Sequence, residues 1–276
     1  MSNLAEITCF LFDNGSKRPE STSSLRRIAN RLARQLGCKT EAVSLLHSNA
    51  VPATELDGQQ ARLLEESLEA FGAAGGKIAV VLPLFFGPSG ALTEYLPPRL
   101  KVLATKHPHT RFILGKHLES PDDDSAELLA RAIHREISST ITAAQFSLPT
   151  VVLTDHGSPL AEVTQVRNRV GEALKKPLAE TMVASMERRD GDEYAFNEPL
   201  LETALEKSVK NGEAEIVVAL QFLFAGRHAG REGDIAQICA AVGEKYPDLK
   251  TVTTEPIGES PEILQLLVRR FFEAAN

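Results

Sequence analysis

The sequence predicts an α/β fold of two similar lobes, each with a parallel sheet flanked by helices. Short apolar runs alternate with amphipathic segments along the chain, a pattern that produces right-handed βαβ crossovers and parallel sheets. The same order of segments occurs twice, and parts of the second occurrence repeat the first. The longest apolar runs, 78–86 and 216–225, are typical of strands buried on both faces of such a sheet.

In the first half, strands and helices are expected in strict alternation. Apolar residues recur at helical spacing up to Leu36, and Gly37 is a typical C-terminal stop for that helix. Pro83 cannot donate a hydrogen bond to a strand neighbour, so it predicts a local break or an unpaired position in the third strand. The expected strands are 7–12, 41–46, 78–86 and 111–114, and the other helices are 61–71, one after Gly87-Pro88, and 122–137.

The second half shows the same order. Proline is favourable at the first position of a helix, so Pro199 and Pro261 predict the starts of two helices, the second preceded by Ser260 as an N-terminal cap. The expected strands are 151–155, 178–185, 216–224 and 250–254, and the other helices are 162–174 and 234–245.

The repeat is also visible in the residues themselves. Segment 13–16 reads DNGS and segment 155–158 reads DHGS, while the apolar run 80–86 matches 218–224. We therefore expect an N-terminal lobe over 1–146 and a C-terminal lobe over 147–276, joined near 140–148. A cleft is expected between the lobes, where the carboxyl ends of the strands converge.

Composition excludes several classes of protein. The formal net charge of −7 and the pI of about 5.6 argue against a surface for nucleic acid or for an anionic membrane. The amino terminus resembles no secretory signal, and the longest apolar runs are too short to span a bilayer. The three cysteines, Cys9, Cys38 and Cys239, are scattered and suit free thiols in a reducing cytosol, so a cytoplasmic location is expected.

Two histidines follow neighbouring strands of the second half. His156 comes directly after strand 151–155, and His228 lies in the turn after strand 216–224. Because carboxyl ends of parallel strands meet at one edge, we expect the two imidazoles to lie together. In the first half Asn14 stands opposite His156, and an ungapped alignment sets Gly90 opposite His228. Two unrelated polar loop residues would have no reason to be lost together, so the pattern favours one shared site.

These residues also carry a resemblance to a known family. A strand followed by HGS, a strand followed by GRH with a downstream GDI, and a Glu-Pro pair between them resemble the long, two-lobed sirohydrochlorin chelatases. The resemblance implies a chelatase-like fold of two duplicated Rossmann-like lobes. It further implies a lyase that inserts a divalent metal into sirohydrochlorin or a related tetrapyrrole of sirohaem or cobalamin synthesis. The first lobe departs from the pattern, since it lacks the histidines.

The resemblance also implies roles for individual residues. His156 and His228 would bind the metal and act as catalytic bases, and a carboxylate from either Glu187 or Glu198 would join them, a choice that the sequence leaves open. The metal is a substrate, Co²⁺ or Fe²⁺ with Ni²⁺ as a further alternative, because neutral imidazole suits all three ions. No organic cofactor is implied. Since the tetrapyrrole carries carboxylates, its expected binding residues are Arg227, Arg231, Arg188 and Ser158.

Expected partners are the tetrapyrrole alone, with no nucleic acid and no membrane, in a monomer or small homo-oligomer. Two other functions remain open. A non-catalytic carrier of metal or tetrapyrrole would also fit, because the first lobe lacks the histidines. A hydrolase is a weaker alternative, since the sequence contains no GxSxG elbow and no phosphate-binding glycine loop.

Overall fold

The structure is a computed structural model that describes residues 4–178 and 181–276. Each half of the chain forms a four-stranded parallel sheet, as predicted. The first sheet contains β1 (Ile7–Asp13), β2 (Lys39–Ser44), β3 (Ile78–Pro83) and β4 (Arg111–Leu114), in the order β2-β1-β3-β4. The second contains β5 (Thr150–Asp155), β6 (Thr181–Ser185), β7 (Glu215–Leu220) and β8 (Lys250–Thr253), in the order β6-β5-β7-β8.

Helices separate the strands in both halves. They are α1 (Pro19–Leu36), α2 (Leu64–Ala73), α3 (Leu96–Lys106), α4 (Ser125–Ala144), α5 (Ala161–Leu174), α6 (Leu201–Lys210), α7 (Asp234–Lys245) and α8 (Pro261–Ala275). Helix α1 ends at Gly37, whose φ of 67° is left-handed, and Pro261 opens α8, both as predicted. Pro199 does not open α6. The peptide Glu198–Pro199 is cis, and the helix begins at Leu201.

The third strand of each sheet is shorter than its apolar run. Strand β3 ends at Pro83, which pairs with Phe12 and cannot extend the ladder, and β7 ends at Leu220. The apolar residues beyond them, such as Phe85 and Phe222, lie in loops. Strand β6 begins at Thr181, and positions 179–180 of the predicted strand 178–185 lie outside the described residues.

The second sheet positions the candidate site. One of its faces packs against α6 and α7 through a buried apolar cluster that includes Val152, Val218, Leu201 and Ile235. Helix α5 lies on the other face, where Gly171 allows it to approach the side chain of Val183 closely. Because both faces of the central strands β5 and β7 are covered, their side chains reach solvent only near the strand ends.

The compact units do not follow the predicted boundary at 146/147. One unit contains Met1–Leu118 with Ile263–Asn276, and the other contains Glu119–Glu262. Helix α4 belongs to the second unit, where it contacts α5, β7 and β8. Helix α8 belongs to the first unit, where its buried Arg270 donates hydrogen bonds to the Leu118 carbonyl. The last helix of each sequence half therefore belongs to the unit formed by the other half. No helix within the described ranges is long and apolar enough to cross a membrane.

Candidate metal centre

The loop after β5 presents His156 beside the chain that follows β6. Gly157 has a φ of 89°, and a Cβ at this position would lie 1.9 Å from the Glu187 carbonyl oxygen, so only glycine fits. The Glu187 backbone N–H donates to the His156 carbonyl at 3.2 Å. This contact holds the two side chains together, with His156 Nε2 3.6 Å from Glu187 Oε1.

The loop between β7 and α7 presents His228. The carbonyl of His228 accepts a hydrogen bond from the Ile235 N–H at 3.2 Å, which ties the loop to the start of α7. Asp234, the first residue of that helix, accepts a hydrogen bond from His228 Nδ1 at 2.6 Å. The ring is thereby fixed both through its backbone and through its side chain.

The two imidazole rings are in direct contact. Their centroids are 4.6 Å apart and their planes cross at 85°. The side chains are 46% exposed for His156 and 29% exposed for His228, so solutes can reach both. The rings therefore meet at the carboxyl edge of the second sheet, as the sequence predicts, and their role in binding a metal stays a prediction.

Hydrogen bonds define which ring nitrogens are free. His156 Nδ1 lies 3.0 Å from the Gly157 carbonyl oxygen, and His228 Nδ1 lies 2.6 Å from the Asp234 carboxylate. A carbonyl and a carboxylate only accept, so each Nδ1 carries the proton and donates it. In a neutral imidazole the lone pair then resides on Nε2. A metal-binding histidine usually donates its other ring N–H to a carboxylate or a backbone carbonyl, which makes both Nε2 atoms suitable ligands.

The structure separates the two candidate glutamates. Glu187 lies beside His156, whereas Glu198 accepts hydrogen bonds from Arg188 Nε at 2.7 Å and from the Leu200 N–H at 3.0 Å. Within 4–178 and 181–276, no group of three or more His, Cys, Asp or Glu is arranged to hold a metal ion. The geometry is that of an open pair of imidazoles, with the Glu187 carboxylate near His156 Nε2 and the Asp234 carboxylate on His228 Nδ1, not a closed cage.

The residues expected to bind substrate divide into two groups. Arg227 is 78% exposed and lies 3.7 Å from Asp234, and Arg231 is exposed on the same loop. Arg188 instead donates to Glu198 and to the Gly191 carbonyl, and the Ser158 hydroxyl accepts from the Leu160 N–H before α5. Arg227 and Arg231 are therefore available to a ligand, while the structure engages Arg188 and Ser158 in holding loops.

The sequence indicated no role for Asp234, although this residue lies in the GDI motif after His228. Its position could have indicated the role. A carboxylate is favourable in the first turn of a helix, and this helix begins shortly after the loop that carries His228, so the side chain can reach the ring.

The first unit repeats the backbone arrangement of the loop after β5 but has other side chains there. The Leu46 N–H donates to the Asn14 carbonyl as the Glu187 N–H donates to that of His156, so Leu46 occupies the place of Glu187. The ungapped alignment that sets Gly90 opposite His228 is wrong by one residue. It pairs Gln221 with Pro83, but the bond that the Gln221 N–H makes to β5 is made to β1 by the N–H of Leu84. The segment Ala91–Tyr95 then leads directly into α3, so the first unit has only a short loop after Pro83 where the second has 221–233.

Comparison with known proteins agrees with this duplicated architecture. SirB from Bacillus subtilis with Fe³⁺ has a similar structure, with a TM-score of 0.74, 15% identity, and coverage of 98% of this chain and 95% of that chain. The sirohydrochlorin chelatase SirB from Bacillus subtilis subspecies spizizenii in complex with cobalt gives 0.70 and 14%, with the same coverage. CbiX, described as the terminal enzyme for biosynthesis of siroheme in denitrifying bacteria, gives 0.57 and 14%, covering 98% and 99%.

At these identities the structural likeness establishes the fold. No curated protein sequence matches the chain. The family assignment rests on the sequence, which matches the CbiX family over residues 8–137 and 150–274, one segment for each half of the duplication. The chain belongs to the CbiX family.

Proposed function

We propose that the chain inserts a divalent metal ion into sirohydrochlorin or a closely related tetrapyrrole. The observation that carries this proposal is the pair of imidazoles in contact, each with Nδ1 bound to an acceptor and Nε2 left to coordinate. Related solved structures include a sirohydrochlorin chelatase in complex with cobalt, which supports the same substrate class here. We propose Co²⁺ or Fe²⁺ as the metal, with Ni²⁺ as an alternative, because imidazole nitrogen suits all three.

Metal transfer requires a site that binds an ion without enclosing it. Two Nε2 atoms and the nearby Glu187 carboxylate would replace part of the hydration shell and leave other positions open. Pyrrole nitrogens can then enter those positions before the imidazoles release the ion. A closed set of four thiolates would hold the ion too tightly for such an exchange.

The reaction also releases two protons from pyrrole nitrogens. In the proposed mechanism the Glu187 carboxylate and an imidazole Nε2 that has released the metal accept them. Asp234 would stabilise the positive charge that His228 gains when its Nε2 is protonated, since its carboxylate lies 2.6 Å from Nδ1. Arg227 and Arg231 would pair with carboxylates of the tetrapyrrole at the rim of the site.

A second candidate function is a carrier that binds metal or tetrapyrrole without turnover. It is favoured by the first unit, in which Asn14 and Leu46 replace the side chains of His156 and Glu187. A carrier would bind its ligand stoichiometrically and leave the rate of metal insertion unchanged.

The test is anaerobic incubation of the protein with sirohydrochlorin and each divalent ion, followed by visible absorption. We expect insertion faster than the spontaneous rate, abolished in His156→Ala and in His228→Ala. His109→Ala is the matched control, because His109 is exposed in a turn of the other unit, and it should retain full activity. Stoichiometric binding with an unchanged insertion rate would support the carrier instead.

A further inference from the structure

A buried arginine lies beside Asp155, the residue that precedes His156. Arg167 of α5 is 1% exposed, and its Nη1 donates to Ser185 Oγ at 2.6 Å and lies 3.6 Å from Asp155 Oδ1. Ser185 Oγ in turn donates to Asp155 Oδ1 at 2.7 Å. Asp155 immediately precedes His156, so these bonds join the loop of the histidine to the strand end that leads into the Glu187 segment.

The same arginine reaches a second part of the site. Arg167 Nη1 donates to the Asn197 carbonyl at 3.1 Å. The fully buried Asn197 side chain accepts from the Ser158 N–H at 3.0 Å and donates to the Ser158 carbonyl at 2.9 Å. The chain on both sides of His156 is thus held by one hydrogen-bonded network, which we name the Arg167 network (Asp155, Arg167, Ser185 and Asn197).

The first unit shows that the fold forms without this arrangement. Asp13 and Ser44 occupy the places of Asp155 and Ser185, and the backbone bond from Leu45 to the Asp13 carbonyl repeats the one from Met186 to the Asp155 carbonyl. In place of Arg167 the first unit has the buried Leu25, and Asp13 Oδ1 is left without a hydrogen-bond partner among the described residues.

The difference between the units indicates that Arg167 is not required for the fold itself. Burying a guanidinium is costly unless it is paired and hydrogen-bonded, and Arg167 is both. The arginine occurs in the unit that has the histidines and is absent from the unit that lost them. Two of its hydrogen bonds go to its helix neighbour Asn168, and the others go to Ser185, at the strand end that leads to Glu187, and to the Asn197 carbonyl. None of its described contacts touches the imidazoles.

We propose that the Arg167 network positions His156 and Glu187 for metal binding and transfer, with Arg167 acting as a positioning residue. The inference rests on the proposed function of the same site. Residues that orient metal ligands typically change metal affinity or activity by about 10–100-fold when they are removed.

The test uses the full chain and Co²⁺ as the probe. Arg167→Leu alone would leave the buried Asp155 carboxylate unpaired. The informative variant is therefore the double change Asp155→Asn with Arg167→Leu, which removes both charges and places leucine where the first unit has Leu25. Circular dichroism establishes that it is folded. We expect the Co²⁺ dissociation constant to rise about 10–100-fold, with a changed d–d absorption spectrum and a lower kcat for insertion.

A second variant and a control complete the design. Asn197→Asp keeps the side-chain shape but loses the donor to the Ser158 carbonyl, and it should weaken Co²⁺ binding in the same direction. Asp13→Asn removes the equivalent carboxyl of the first unit and should leave the Co²⁺ affinity unchanged. Folded variants with wild-type affinity, spectrum and kcat would overturn the positioning role. A wild-type protein that binds no Co²⁺ would instead overturn the proposed function on which it rests.

Discussion

At the scale of single residues, Asp234 determines which nitrogen of His228 can bind a metal. Its carboxylate fixes the proton on Nδ1 and so leaves the lone pair on Nε2. Replacing it by asparagine keeps an acceptor but removes the charge. We therefore expect Asp234→Asn to weaken Co²⁺ binding by about 10–100-fold, measured by titration of the visible d–d bands.

The matched control is Asp248→Asn, because Asp248 is an exposed carboxylate in the turn after the same helix. It should bind Co²⁺ as the wild type does. If Asp234→Asn also binds with unchanged affinity, the carboxylate does not orient the histidine.

A second prediction at this scale concerns Asp13 and the pH dependence of stability. Burial raises the pKa of the Asp13 carboxyl from 3.8 to about 6. The folded state then holds its proton more tightly than the unfolded state, so the free energy of unfolding falls as the pH rises from about 4 to 6. This difference in pKa corresponds to about 3 kcal/mol at pH 7.

Asp13→Asn removes that cost. We expect the variant to be more stable than the wild type at pH 7 by up to about 3 kcal/mol, with the advantage vanishing near pH 4, as measured by urea unfolding. Burial also raises the pKa of the Asp155 carboxyl, although Arg167 opposes that rise. Asp155→Asn should nevertheless lower the stability at pH 7 by about 3–5 kcal/mol, because it leaves the buried Arg167 charge unpaired. Equal effects of the two substitutions would contradict this account of the buried carboxyls.

At the scale of elements, the loop after β5 depends on a glycine. A Cβ on Gly157 would collide with the Glu187 carbonyl, and the positive φ is unfavourable for any other residue. Gly157→Ala should therefore displace His156 from Glu187 and strongly reduce metal insertion, measured by the visible-absorption assay. Gly226→Ala is the control in the other site loop, where a Cβ meets nothing within 4 Å, and it should remain active. An active Gly157→Ala enzyme would show that the close approach is not required.

The sequence predicted the ends of an element well where a residue at that end has a strong backbone preference of its own. Gly37 and Pro261 marked helix ends because their backbone preferences are local. The apolar run after Leu220 did not mark the end of β7, since hydrophobicity does not distinguish a paired residue from a packed loop residue such as Phe222. The sequence also could not show which of Glu187 and Glu198 lies free near the imidazoles, because that depends on the pairing of Glu198 with Arg188.

At the scale of the whole molecule, duplication made the contact between His156 and His228 predictable and the units hard to delimit. Comparing the halves identified His156 and His228 as a pair that was lost together, which no single half would have shown. The same comparison could not reveal that α4 and α8 exchange units, because a helix of the same amphipathic pattern fits either sheet.

The exchange leads to a prediction about fragments. A fragment of residues 119–262 includes α4 and should unfold cooperatively in a thermal melt followed by circular dichroism. A fragment of residues 147–276, cut at the boundary expected from the sequence, lacks α4 and would expose the sheet residues that α4 contacts. We expect it to aggregate or to melt without a cooperative transition. Equal cooperativity of both fragments would contradict the observed units.

The central claim is that His156 and His228 bind one metal ion together. Its most direct test is an anaerobic Co²⁺ titration followed by X-ray absorption spectroscopy of the loaded protein. The account predicts one ion per chain with two imidazole nitrogens in its coordination shell, and no such ion in His156→Ala or in His228→Ala. A wild-type complex with a single imidazole nitrogen, or a double-imidazole signal that persists in either variant, would contradict it.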